Sequence, residues 1–195
     1  MELELFNIYI IIINIIGFIF SGINILLYKH YHKKLDSLLT IITCLGGTLG
    51  ILTFILLFDR KFKKENMMLR VFSICMFIIQ LVFLILLKKN NEIKITFSIW
   101  ELFVKYKILL WYLLIINIIT FIVFGLDKLK AISKKYRYKI ITLLGLCFLG
   151  GGVGGLLGMY VFRHKTKVNY FTKGIPLIIL MKLVIMILLA NVIIN

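Results

Sequence analysis

Blocks of about 20 apolar residues, separated by stretches rich in lysine and arginine, leave this chain few folds to choose from. A helix rises about 1.5 Å per residue, so one such block matches a hydrocarbon core about 30 Å thick. The blocks are Leu5–Tyr28, Leu38–Phe58, Val71–Leu87, Ile108–Leu126, Ile140–Phe162, and a last one opened by Pro176 that runs to Ile194. Apolar residues make up 62% of the 195 and charged residues only 16%, a balance that excludes an ordinary water-soluble domain. The expected fold class is therefore all-α, a polytopic transmembrane helical bundle of about six spans. Glu2 and Glu4 precede the first block where a signal peptide would be basic, and no small-residue cleavage pattern follows, so it reads as a retained helix.

A net charge of +16 in a soluble protein would point to nucleic acid. Here the cations stand between apolar blocks, where they anchor helices at headgroup depth and attract anionic lipid. The expected partners are the lipid bilayer and anionic lipid headgroups, with no nucleic acid. Cys44, Cys75 and Cys147 all fall inside apolar blocks, without metal-site spacing, and read as small hydrophobes. No metal and no cofactor is expected.

The most informative stretch is Leu149–Phe171. Gly150, Gly151, Gly154, Gly155 and Gly158 leave a helix face almost bare, and Gly46, Gly47 and Gly50 do the same in the second block. Bare faces let helices approach closely where lipid supplies no hydrophobic drive, within a chain or in a homo-oligomer. Arg163, His164, Lys165, Thr166 and Lys167 follow where the helix leaves the hydrocarbon. Lys182, about two turns into the last helix, reads as a snorkelling lysine, with a functional buried amine as the alternative.

The chain also resembles itself. Ile12–Phe18 aligns with Ile115–Phe121, pairing Asn14 with Asn117, and the same offset pairs Gly22 with Gly125 and Asn24 with Asp127. Shifted by one residue, Leu45-Gly46-Gly47 lies over Leu149-Gly150-Gly151, and Gly50 over Gly154. The organisation expected is a first three-helix repeat over 1–90, an amphipathic interfacial linker over 91–107, and a second three-helix repeat over 108–195. Three spans per half is an odd number, so the halves are expected to be inverted, as in many secondary transporters. On that topology the basic residues divide 12 to 11 between the two sides and give no orientation.

From about Ile108 onward the chain resembles the bacterial membrane family catalogued as domain of unknown function 1294. The resemblance rests on Gly125-Leu126-Asp127-Lys128 with Ala131, Arg137 and Thr142-Leu143-Leu144, and on Gly158-Met159-x-x-Phe162-Arg163-His164-Lys165-Thr166 with Phe171. Members are about one such half long, so the whole chain looks like a fused, diverged pair. The resemblance implies a multi-pass protein of the bacterial cytoplasmic (plasma) membrane and names no reaction. It departs at Ile140, where the family usually has a glutamate.

Asp127, Lys128, Arg137, Arg163, His164, Lys165, Thr166 and Lys167 are the candidate binding residues. On a continuous fifth span, Asp127 and the Arg163–Lys165 run lie at opposite ends of a helical hairpin, and they could meet only if a helix is broken or if the site is shared between the halves. The leading expectation is a small transporter or channel built from inverted repeats, with an aqueous path lined by Asn14 and Asn117. The alternatives are a membrane enzyme or lipid-headgroup binder acting through the Arg-His-Lys-Thr cluster, and a non-catalytic membrane scaffold. No nucleophile, metal set or carboxylate pair favours an enzyme.

Overall fold

The computed structural model describes residues 2–32, 35–59, 64–88, 103–134 and 136–194. Its contacts divide the chain into two units, Met1–Ile85 and Leu86–Asn195. All regular structure among the described residues is helical. Five segments are long and apolar enough to cross a membrane: Leu5–Tyr31, Met67–Ile85, Lys107–Ile132, Ile140–Val161 and Asn169–Ala190. Most of the expected linker lies outside the described residues.

The first unit consists of α1 (Glu2–Tyr31), α2 (Asp36–Cys44), α3 (Thr48–Phe58), a 3₁₀ turn (Lys64–Asn66) and α4 (Met67–Lys88). The expected single span Leu38–Phe58 is two short helices. Gly46 takes φ +109°, which side chains other than glycine's rarely allow, and the chain doubles back there. Three contacts with α1 fix the direction. The Tyr9 hydroxyl donates to the Leu45 carbonyl (2.7 Å), and the Gly50 N–H donates to Asn14 Oδ1 (2.8 Å). Phe54 lies edge-on to Phe18 and against Gly22. α3 therefore runs beside α1 in the same direction. At the other end of α2, Asn24 Oδ1 accepts the Leu35 N–H at 2.7 Å. The result is a helical hairpin with its mouth at Asn24 and its tip about 22 Å away along α1. Leu39, Ile42, Ile51, Ile55 and Leu69 form the core between the hairpin, α1 and α4.

The second unit consists of α5 (Lys107–Ile132), α6 (Ile140–Leu146), a π turn (Cys147–Gly151), α7 (Gly152–Val161), the short α8 (Asn169–Thr172) and α9 (Gly174–Ile194). It repeats the device. Gly150 takes φ +134°, and the expected single helix Ile140–Phe162 breaks there. Tyr112 donates to the Leu149 carbonyl (2.6 Å), and the Gly154 N–H donates to Asn117 Oδ1 (2.7 Å). The residues after the two breaks match closely, with φ/ψ of −78°/19° at Gly47 and −79°/21° at Gly151. The segment Ile140–Val161 is thus long enough to cross only if its two arms are added end to end, and they are folded against each other.

The glycine face has its expected use, with a partner inside the unit. A Cβ on Gly154 would collide with the main chain of Asn117, one on Gly151 with Thr120, and one on Gly158 would stand 2.9 Å from Phe124 Cβ. α7 and α5 touch backbone to backbone over most of the length of α7. Asn14 and Asn117 do not line a water path through their amide groups. Each accepts from the start of the returning arm and donates back to a carbonyl one turn earlier on its own helix. These bonds occupy polar groups that a broken helix would otherwise leave unpaired.

Candidate site at the hairpin mouth

Folding the hairpin back brings together residues that a continuous helix would hold about 33 Å apart. Asp127, on the last two turns of α5, is fully buried. Its Oδ1 accepts the Tyr138 N–H (2.9 Å), just before α6 begins. Its Oδ2 accepts from His164 Nε2 (2.9 Å) and Lys165 Nζ (2.7 Å), just after α7 ends. One carboxylate therefore holds both ends of the hairpin: the break at Gly150 realises the broken-helix arrangement in which Asp127 and the basic run meet.

The backbone after α7 makes this geometry. The His164 N–H closes on the Met159 carbonyl at 2.9 Å, and Arg163 and Lys165 adopt left-handed φ of 46° and 62°. Such a cap normally falls to glycine. Here it turns two consecutive side chains back toward Asp127. The Lys165 ammonium also lies 4.8 Å from the centre of the Phe171 ring, which packs edge-on to Phe124. A fully buried carboxylate is costly unless paired and hydrogen-bonded. Asp127 has a backbone donor, an imidazole N–H and an ammonium.

The other candidates fall outside this cluster. Arg137, Arg163 and Lys167 are exposed around the mouth, and Lys128 and Thr166 are half-buried. Lys130 stacks 3.8 Å over the Tyr138 ring. The first unit closes its mouth differently. Asn24 stands in place of Asp127, and the hairpin's exit is held to α4 by Asp59, which pairs with Arg70 (3.0 Å) and accepts from Asn66 (2.9 Å).

At the tip, Lys182 turns toward the break. Its Nζ lies 3.5 Å from where a Cβ on Gly150 would stand, deep along α9. Gln80 holds the matching place in the first unit, donating to the Thr43 carbonyl (3.0 Å) and accepting from Thr48 (2.6 Å). The sequence alignment missed Tyr9 and Tyr112, although they share the offset that pairs Asn14 with Asn117. Among the described residues, no group of three or more His, Cys, Asp or Glu could hold a metal ion.

The profile of the family described as "Protein of unknown function (DUF1294)" matches residues 117–171. "Uncharacterized protein YsdA" of Bacillus subtilis (strain 168) is 39% identical over 74 residues, covering 38% of this chain and 83% of that protein. The chain belongs to the DUF1294 family. The DUF1294 segment begins at Asn117, which secures the hairpin tip, and ends at Phe171, beneath Lys165. Asp127, the glycines and the His164-Lys165 pair all lie inside it. No solved structure matches the chain.

Proposed function

We propose that this DUF1294 protein is a small membrane transporter or channel whose solute site lies at the hairpin tip of the second unit. The observation that carries this reading is the helix break at Gly150 beside the ammonium of Lys182. Irregular backbone at membrane depth is tolerated where protein buries it or where it lines a water-filled cavity. An ionisable side chain at that depth is a functional candidate by default, and broken helices are a common way for transporters to build solute sites. The positive charge favours an anionic solute. Leu149→Cys at the tip, in a cysteine-free background, is expected to react with small water-soluble thiol reagents. An inert thiol there would remove the transport reading and leave the scaffold.

Read as re-entrant, the hairpins also support a different topology. A hairpin that returns to its own side leaves two crossings per unit, so the odd count behind the expected inversion no longer holds. With the hairpins re-entrant, the basic stretches gather at the mouths. The stretches 29–37 and 59–70 hold eight Lys/Arg and 127–139 and 163–173 hold ten, against five in 88–107 at the opposite end. The positive-inside rule, applied to each unit by itself, then favours a cytoplasmic mouth. Cysteines replacing Lys63 and Lys167 should both be protected from an impermeant reagent in intact cells, while Glu4→Cys labels. Opposite behaviour of the first two would restore the inverted pair.

Of the candidate binding residues, the headgroup-binding alternative is left with the exposed Arg137, Arg163 and Lys167, because His164 and Lys165 are engaged with Asp127.

A further inference from the structure

A hairpin that stops partway down its unit leaves space beneath the tip. In the first unit this is a cavity of about 550 Å³ between the early turns of α1, the tip at Leu45–Leu49 and the far half of α4. That size falls in the range of small-molecule sites, about 300–1,000 Å³. Its extent along α1, from Phe6 to Asn14, corresponds to about 12 Å, most of one leaflet of a core about 30 Å thick.

The chemistry of its lining decides what fits. Most of the wall is apolar, including Phe6, Leu49, Phe77 and Leu84, and none of the lining residues is charged. The polar groups at its roof are already bonded within the unit: Tyr9 to the Leu45 carbonyl, Thr48 to Gln80, Gln80 to the Thr43 carbonyl, and Asn14 to the Gly50 N–H. These bonds take up much of the lining's polar capacity inside the unit, which disfavours a buried water that needs two to four polar partners. Toward the rim, Phe6, Leu84 and Ile85 are 45%, 44% and 59% exposed, so the cavity continues into the apolar outer face of the unit.

We infer that this cavity is a binding site for one hydrocarbon chain of a bilayer lipid, entering sideways from the leaflet opposite the hairpin mouth. The inference rests on the re-entrant reading of the first hairpin and is independent of any transport role. It separates the two units by chemistry. The first carries a neutral Gln80 and a lipid-filled recess where the second carries Lys182 beside its break.

The test uses the full-length protein in vesicles of phosphatidylcholine brominated in mid-chain. Trp100 and Trp111 are replaced by Phe, and one reporter is introduced as Phe77→Trp or, separately, Leu81→Trp. Either reporter should lose at least half its emission relative to unbrominated vesicles. The exposed site Ile12→Trp serves as the lipid-facing control. If the control is quenched and neither cavity reporter is, protein closes the recess and the inference fails. Quenching of the cavity reporters by iodide in place of bromolipid would show an aqueous recess and would equally overturn it. Bromine is present in both leaflets, so the result does not depend on which way the unit faces. The Leu149→Cys and mouth-labelling experiments therefore fail or succeed separately.

Discussion

Asp127→Ala should cost this protein about 3–5 kcal/mol, the range seen when one partner of a buried ion pair is removed. The carboxylate is fully buried, and its loss takes an acceptor from the Tyr138 N–H, from His164 and from Lys165 together. Both ends of the α6–α7 hairpin would be released at once. The measurement is the thermal midpoint of purified protein in detergent, with limited proteolysis across 133–168 as a local readout. Asp127→Asn should fall between the wild type and Asp127→Ala. The first unit already uses an asparagine there, with Asn24 accepting the Leu35 N–H at 2.7 Å, so the backbone bond survives and only charge is lost. Adding Lys165→Met to Asp127→Asn should recover part of that loss. Failure to recover would mean that shape, not charge pairing, holds the mouth shut.

Gly154→Ala is the second large effect. A single methyl group there has no room, because it would meet the carbonyl, carbon and Cα of Asn117 rather than a side chain that could swing away. The two helices would have to part, and the Gly154 N–H bond to Asn117 would go with them. Overpacking of about 1–3 kcal/mol and an unpaired buried donor of about 1–3 kcal/mol combine to roughly 2–6 kcal/mol. Gly50→Ala, against Asn14 in the first unit, should behave alike. The control is Gly145→Ala: nothing lies within 4 Å of the added carbon, and it should be neutral or slightly stabilising. Equal losses at Gly145 and Gly154 would mean that the α5–α7 contact contributes nothing.

The membrane character of the chain was legible because apolar block length maps directly onto bilayer thickness. The repeat was legible too, through Asn14 and Asn117 and the paired glycines. What could not be read was the use of those glycines. A run such as Gly150-Gly151-Gly152 is compatible with a smooth packing face and with a sharp reversal, since glycine adopts either sign of φ at little cost. The choice is made by partners about 36 residues away, Tyr112 and Asn117, whose side chains bind the broken ends. A continuous helix would hold Asp127 and His164 at opposite ends, and only a broken one lets them meet. The position of Lys182 relative to the tip depends on the same break.

The broken hairpins also bear on how the protein is made. α2 and α3 have 9 and 11 residues, α6 and α7 have 7 and 10, and none alone approaches the ~20 residues that make a segment enter lipid by itself. Each break also exposes backbone groups that side chains of the long helices pair. The long helices are therefore expected to stand in the bilayer first, with the hairpins sliding in afterward as wedges between walls already raised. In that order, the asparagine on each wall is the catch that tells the wedge where to stop.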